Sequence, residues 1–172
     1  MALNVVSNAG PLILFSKLNI LYLLKDLYGR VEFPFAVYKE AVQLGIRYGF
    51  PDARTLHLFL TQNKWNPTQV IDIPLDLQNE NLDRGEKEAI ALAISKNALL
   101  LMDEERGRSF ARSRNIKGMG SLGVLIEAYK KKHISEDQLR VYFQQISDRK
   151  DIWINPDLCK RLLGKLFQAD VT

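Results

Sequence analysis

Residues 82–108 read LDRGEKEAIALAISKNALLLMDEERGR, and this stretch decides the fold. Gly85 and Glu86 open a helix whose Ile90, Leu92, Ala93 and Ile94 give it a buried side. The spacing then changes. Ala98–Met102 is an uninterrupted apolar run of strand length, and Asp103 follows it at once. In an α/β sheet, the carboxyl end of one strand and the start of a neighbouring helix meet in the ligand crevice. Two carboxylates converging there point to a divalent-metal site.

Upstream, Leu3–Ser7 has strand character, and Asn8-Ala9-Gly10-Pro11 breaks it, with Pro11 suited to the first turn of a helix. A helical stretch over 12–28, interrupted near Asn19, ends at Gly29. Residues 31–33 form a short strand, and Pro34 opens a helix with Val37, Ala41 and Leu44 on one side. A helix over 52–62 follows Pro51, then a short edge strand at 70–73 and a polar loop at 75–82. Beyond Asp103 the pattern predicts a helix over 105–113, a strand at 116–118 and a helix over 122–129. Ser135 and Gln138 have the capping-box spacing at the head of a helix carrying Leu139, Tyr142, Phe143 and Ile146. Asn155-Pro156 starts the last helix. Alternating strands and helices predict an α/β fold of three layers, α/β/α, around a central, mostly parallel sheet.

The 172 residues fit one domain, without internal repeat, low-complexity tract or linker. A lone cysteine, Cys159, excludes an internal disulfide and reads as a small buried side chain of the last helix. No apolar run reaches the ~18 residues of a spanning helix, and the N-terminus lacks the pattern of a cleavable signal, so a cytoplasmic protein is expected. The net charge of +4 permits a polyanionic partner without demanding one. No glycine-rich phosphate loop, CxxC pair or HExxH motif is present.

Four positions fall where the crevice should lie: Asn8, Glu40, Glu86 and Asp103. Glu40, three residues after Val37 and four before Leu44, shares an apolar stripe, and Glu86 sits at the inner edge of its helix. A carboxylate on such a stripe loses hydration and needs a partner. Oxygen donors without paired Cys or His suit Mg²⁺ or Mn²⁺, which can activate water and neutralise a phosphodiester. Blander readings exist for each acid alone. Glu86 suits the positive end of its helix, Asp103 could cap the next one, and Glu104 and Glu105 beside Arg106 and Arg108 read as a solvated charge run. Arg106, Arg108 and Arg112 lie close enough to the acids to contact phosphate.

These residues resemble a known family. Val5-Val6-Ser7-Asn8-Ala9-Gly10-Pro11 is similar to the opening of PIN-domain proteins, Pro34–Glu40 to their second motif, and Gly85–Ala93 with Leu99–Arg108 to the segments bearing the third and fourth acids. The LDxGExEAIxLA form, together with Gly120-Ser121-Leu122-Gly123-Val124-Leu125, resembles a VapC-like prokaryotic branch. The resemblance covers residues 3–130, and helices over 135–168 are read as completing the core of a single domain spanning 1–172. It implies a Mg²⁺- or Mn²⁺-dependent ribonuclease of toxin–antitoxin type, homodimeric or antitoxin-bound. Asn8, Glu40, Glu86 and Asp103 would be catalytic residues and metal ligands, and Ser121 would join Arg106, Arg108 and Arg112 at the RNA. One position departs: the family's first acid is an aspartate, and Asn8 brings oxygen but no charge, a loss that Asp83 or Glu88 could offset. A catalytically degenerate domain that binds RNA or a protein without cutting is therefore the alternative.

Overall fold

A computed structural model describes residues 3–168. Three short strands, β1 (Val5–Ser7), β2 (Leu99–Leu101) and β3 (Gly118–Met119), form a parallel sheet in that order. Val5 stands opposite Leu99 and Ser7 opposite Leu101, while Leu101 stands opposite Met119. The strand expected at 31–33 is reduced to one parallel bridge, Val6 to Glu32, on the free side of β1. Ser7 N–H donates to Glu32 O and Glu32 N–H to Val5 O. No strand forms at 70–73. Val70 and Ile73 lean on the core and Ile71 is exposed, but the nearby backbone pairing is taken by Thr68 against Phe33 and Phe35.

The helices follow in chain order: α1 (Ala9–Lys17), α2 (Tyr22–Tyr28), α3 (Phe35–Tyr38), a π-helical turn (Lys39–Leu44), α4 (Gly45–Arg47), α5 (Pro51–Asn63), α6 (Leu75–Gln78), α7 (Arg84–Lys96), α8 (Glu105–Ser113) and α9 (Ser121–Lys130), then α10 (Glu136–Asp148) and α11 (Pro156–Phe167). The break between α1 and α2 falls at Asn19, whose left-handed φ of 56° lets Ile20 N–H reach back to Phe15 O. Helix α6 lies inside the stretch expected as loop, because Leu77 is fully buried and Lys87 Nζ donates to Gln78 O. This is the α/β three-layer architecture that the alternation of elements predicted.

Helix α7 is the central helix of this core. Its Ala89, Ile90, Leu92 and Ala93 pack with Val6 of β1, Leu100 of β2, Met102, Ala111 and Ile116 in one buried cluster. Burying side chains of this size contributes roughly 1.5–3 kcal/mol each for the larger ones. Helices α4 and α5 pack so closely that a Cβ on Gly45 would lie 2.5 Å from the Cβ of Ala53.

The chain divides into two compact units, one running to Ser121 and the other beginning at Leu122. In the second unit, Ser135 caps α10 with the reciprocal Gln138 bond that its sequence announced. Tyr129 meets Phe167 edge-on at 5.5 Å, and the Arg140 guanidinium lies over the same ring. Cys159 is buried, as its position on the last helix suggested.

Gly45→Ala should destabilise the protein by about 1–2 kcal/mol in urea unfolding. The clash with Ala53, which has no flexible end to move aside, outweighs the ~1 kcal/mol that alanine gains over glycine in a helix.

Candidate active site

The register of β1 on β2 places Asn8 and Asp103 at the same end of the sheet. Asn8 N–H donates to Leu101 O, the last carbonyl of β2. The Asn8 side chain is almost wholly buried, and its Nδ2 donates to Glu104 Oε2 at 2.9 Å. That bond fixes which way round the amide sits. Asn8 Oδ1 is left buried with no hydrogen-bond partner, a condition that costs about 1–3 kcal/mol when unmet.

Asp103 is held on both oxygens by one residue. Ser121 N–H donates to its Oδ1 at 2.7 Å and the Ser121 hydroxyl to its Oδ2 at 2.8 Å. Ser121, offered by the sequence as an RNA contact, is fully buried, and its two bonds hold this carboxylate in place. Asp103 does not cap α8. That place belongs to Glu104, whose side chain makes no capping bond. The turn itself is braced by Arg108, whose Nη1 donates to Met102 O and Asp103 O.

Glu40 and Glu86 belong to a second group of acids. Glu40 lies at the rim, partly open to solvent, rather than in the buried stripe, which consists of Val37, Ala41 and Val42. The π-helical turn explains the difference, since its i→i+5 bonding defeats the i+3, i+4 spacing on which the stripe was read. Glu40 Oε2 and Asp83 Oδ1 both border Gly85, at 3.2 and 3.4 Å from where its Cβ would be. Glu86 and Asp83 form a reciprocal cap, each carboxylate accepting the other's N–H at 2.8 Å. A cavity of about 530 Å³ opens beside Glu40, lined among others by Phe35, Lys39, Gln69, Arg84 and Glu88. Buried Glu88 accepts from Ala36 N–H and Arg84 Nε in its wall.

Crowding shows in the acidities. Dehydration, then the charges of Asp83, Glu104 and Glu86, push Glu40 up to about 7. Dehydration also raises Glu86, against the opposing Asp83 N–H bond and with the charges of Asp83 and Glu104. Asp103 is raised as well, because dehydration outweighs the two Ser121 bonds, and Glu104 adds to the rise. Glu104 is the one acid that bears on all three. In the sequence it looks like part of a solvated charge run. Its adjacency to Asp103, at the end of a buried strand, was the available signal.

The chain matches the PIN-domain family designated DUF3368 over residues 4–168. It belongs to the PIN-domain family. No curated protein matches it. PIN domains are in general nucleases that act on RNA with the help of divalent cations. The donor chemistry of this PIN domain fits such a cation: hard oxygens only, an orphaned amide oxygen on Asn8, and Asp103 Oδ2 and Asn8 Oδ1 both facing the bare side of Gly10. The set is open rather than a finished cage. Among the described residues, no three Asp, Glu, His or Cys side chains close on one point. Asp103 and Glu86 are instead committed to Ser121 and Asp83.

The three arginines of this PIN domain that the sequence offers to RNA are each paired with an acid. Arg108 and Arg112 share Glu105, and Arg106 lies 3.9 Å from Glu80. Arg108 is mostly covered, whereas Arg106 and Arg112 keep their side chains largely in solvent. No helix among the described residues is long and apolar enough to cross a membrane.

The raised Glu40 has a sign. A carboxyl that binds its proton more tightly folded than unfolded contributes stability at low pH, and this is lost as pH rises from about 4.5 through about 7. In metal-free buffer, Glu40→Gln should therefore melt above the wild type at pH 8, with the gap closing toward pH 5. A gap independent of pH in thermal scans would contradict this assignment.

Proposed function

We propose that this PIN domain is a metal-dependent endoribonuclease. The carrying observation is the buried Asn8 amide oxygen that has no partner, beside the Asp103 carboxylate at the carboxyl ends of two parallel strands. Asn8, Glu40, Glu86 and Asp103 are the residues that would hold Mg²⁺ or Mn²⁺. When bound, the cation supplies activation of water and neutralisation of charge on the phosphodiester. Ser121 keeps Asp103 in one rotamer, and Arg108 keeps the turn that presents it. Glu40 holds a proton near neutrality, so cation uptake displaces that proton and strengthens as pH rises through about 7. Arg106 and Arg112, reaching into solvent, meet RNA phosphates by exchanging their present carboxylate partners.

The likeness to the VapC branch supports a cytoplasmic, toxin-like role with a homodimeric or antitoxin-bound form. The family match runs through both compact units, which supports treating 1–172 as one functional domain with α10 and α11 as its completion. One specific observation favours a second reading, binding without cleavage: the uncharged Asn8 at the place of an acid.

Cleavage of mixed single-stranded RNA with Mn²⁺ separates the two. The nuclease reading expects cutting that is abolished by EDTA and by Asp103→Asn. It also expects an about 10–100-fold loss in Ser121→Ala, the usual size of an outer-shell defect at a metal site. No cutting by the folded wild type, with RNA retained in a filter assay, establishes the binding reading instead.

A further inference from the structure

We propose that Glu104 supplies the negative charge that position 8 lacks, acting through its bond to the Asn8 amide, so that the divalent cation taken by Asn8 Oδ1 and Asp103 Oδ2 is balanced by the Asn8–Glu104 pair. The inference rests on the metal-site reading above and extends it to a residue outside the four positions. Three features of this chain carry it. First, Asn8 Nδ2 donates to Glu104 Oε2 at 2.9 Å, which couples a neutral oxygen donor directly to a full negative charge. Second, the same bond turns Asn8 Oδ1 away from Glu104, and that oxygen is buried without a partner. It faces the bare side of Gly10, as does Asp103 Oδ2. An unmet acceptor beside a carboxylate oxygen is what a hard cation would complete.

Third, Glu104 does none of the work its position would ordinarily give it. It stands at the cap of α8, yet makes no bond to that helix's amides. The arginines nearby pair with Glu105 and Glu80, and among the described residues Glu104 has no cationic partner. The side chain bends back to Asn8 instead and stays exposed, open to an ion arriving from solvent.

The pair is also equivalent, in charge and hydrogen bonding, to its reverse. An aspartate at 8 accepting from a glutamine amide at 104 carries the same single negative charge, with donor and acceptor exchanged. This gives a direct test. Mn²⁺ binding to the full chain is measured by calorimetry for the wild type, Glu104→Gln, and the double variant Asn8→Asp/Glu104→Gln, with metal-free melting followed by circular dichroism. Glu104→Gln should bind Mn²⁺ at least about tenfold more weakly, and the double variant should recover to within about threefold of the wild type. Metal-free Glu104→Gln should melt no lower than the wild type, since it removes a like charge from the acidic group; this separates lost ligation from lost folding. Wild-type affinity in Glu104→Gln, or a double variant as weak as the single one, overturns the proposal and leaves the metal site standing. A folded wild type that takes up no Mn²⁺ overturns both.

Discussion

The pairing of β1 with β2 is the constraint on which the rest depends. Both strands are three residues long, and their register ends them level, Ser7 beside Leu101. Asn8 and Asp103 therefore leave the sheet as neighbours, although 95 positions of chain separate them. Strands so short would be marginal without an apolar face to bury. Helix α7 supplies it, and by packing on both strands it also brings its own acidic start toward the same end of the sheet.

What that pairing assembles works against stability. Like charges a few ångströms apart repel by roughly 4 kcal/mol at the effective dielectric of a protein surface. The upward shifts of Glu40, Glu86 and Asp103 are the local record of lost hydration first, and of that repulsion second. The fold contains it with backbone devices: the two Ser121 bonds on Asp103, the reciprocal Asp83–Glu86 cap, and the Arg108 clamp on two carbonyls. Each orients an acid. Arg108 does more than orient, since its guanidinium grips the Asp103 backbone, draws the Asp103 carboxyl down against its dehydration, and pairs with Glu105.

Much of this was legible in the sequence, because periodicity reports burial. The switch from helical spacing at Ile90 to the continuous run at Leu99–Leu101 marks α7 and β2 without ambiguity, and Ser135 with Gln138 announces its cap. Tertiary contacts were less visible. The 31–33 and 70–73 segments have strand-like composition but little backbone to pair with, and Leu77 turns an apparent loop into α6. At the site, sequence spacing located the neighbourhood of Asn8, Glu86 and Asp103. It could not show that Ser121 is buried beneath Asp103, or that Asn8 reaches across to Glu104, because both contacts are made across the sheet edge. The apolar stripe drawn through Glu40 failed for a local reason, the change of helical bonding inside its own turn.

That π-helical turn ties chemistry to chain length. Upstream of it lies Val37, buried in the core, and downstream lies Gly45, locked against Ala53. Both anchors are rigid, so the angular position of Glu40 between them is set by how many residues the turn contains. Removing one residue from Lys39–Leu44 would restore ordinary helical winding with both anchors in place, so it is the side chains between them, Glu40 included, that would be re-aimed. In this stretch the count of residues, and not their identity alone, sets where a carboxylate points.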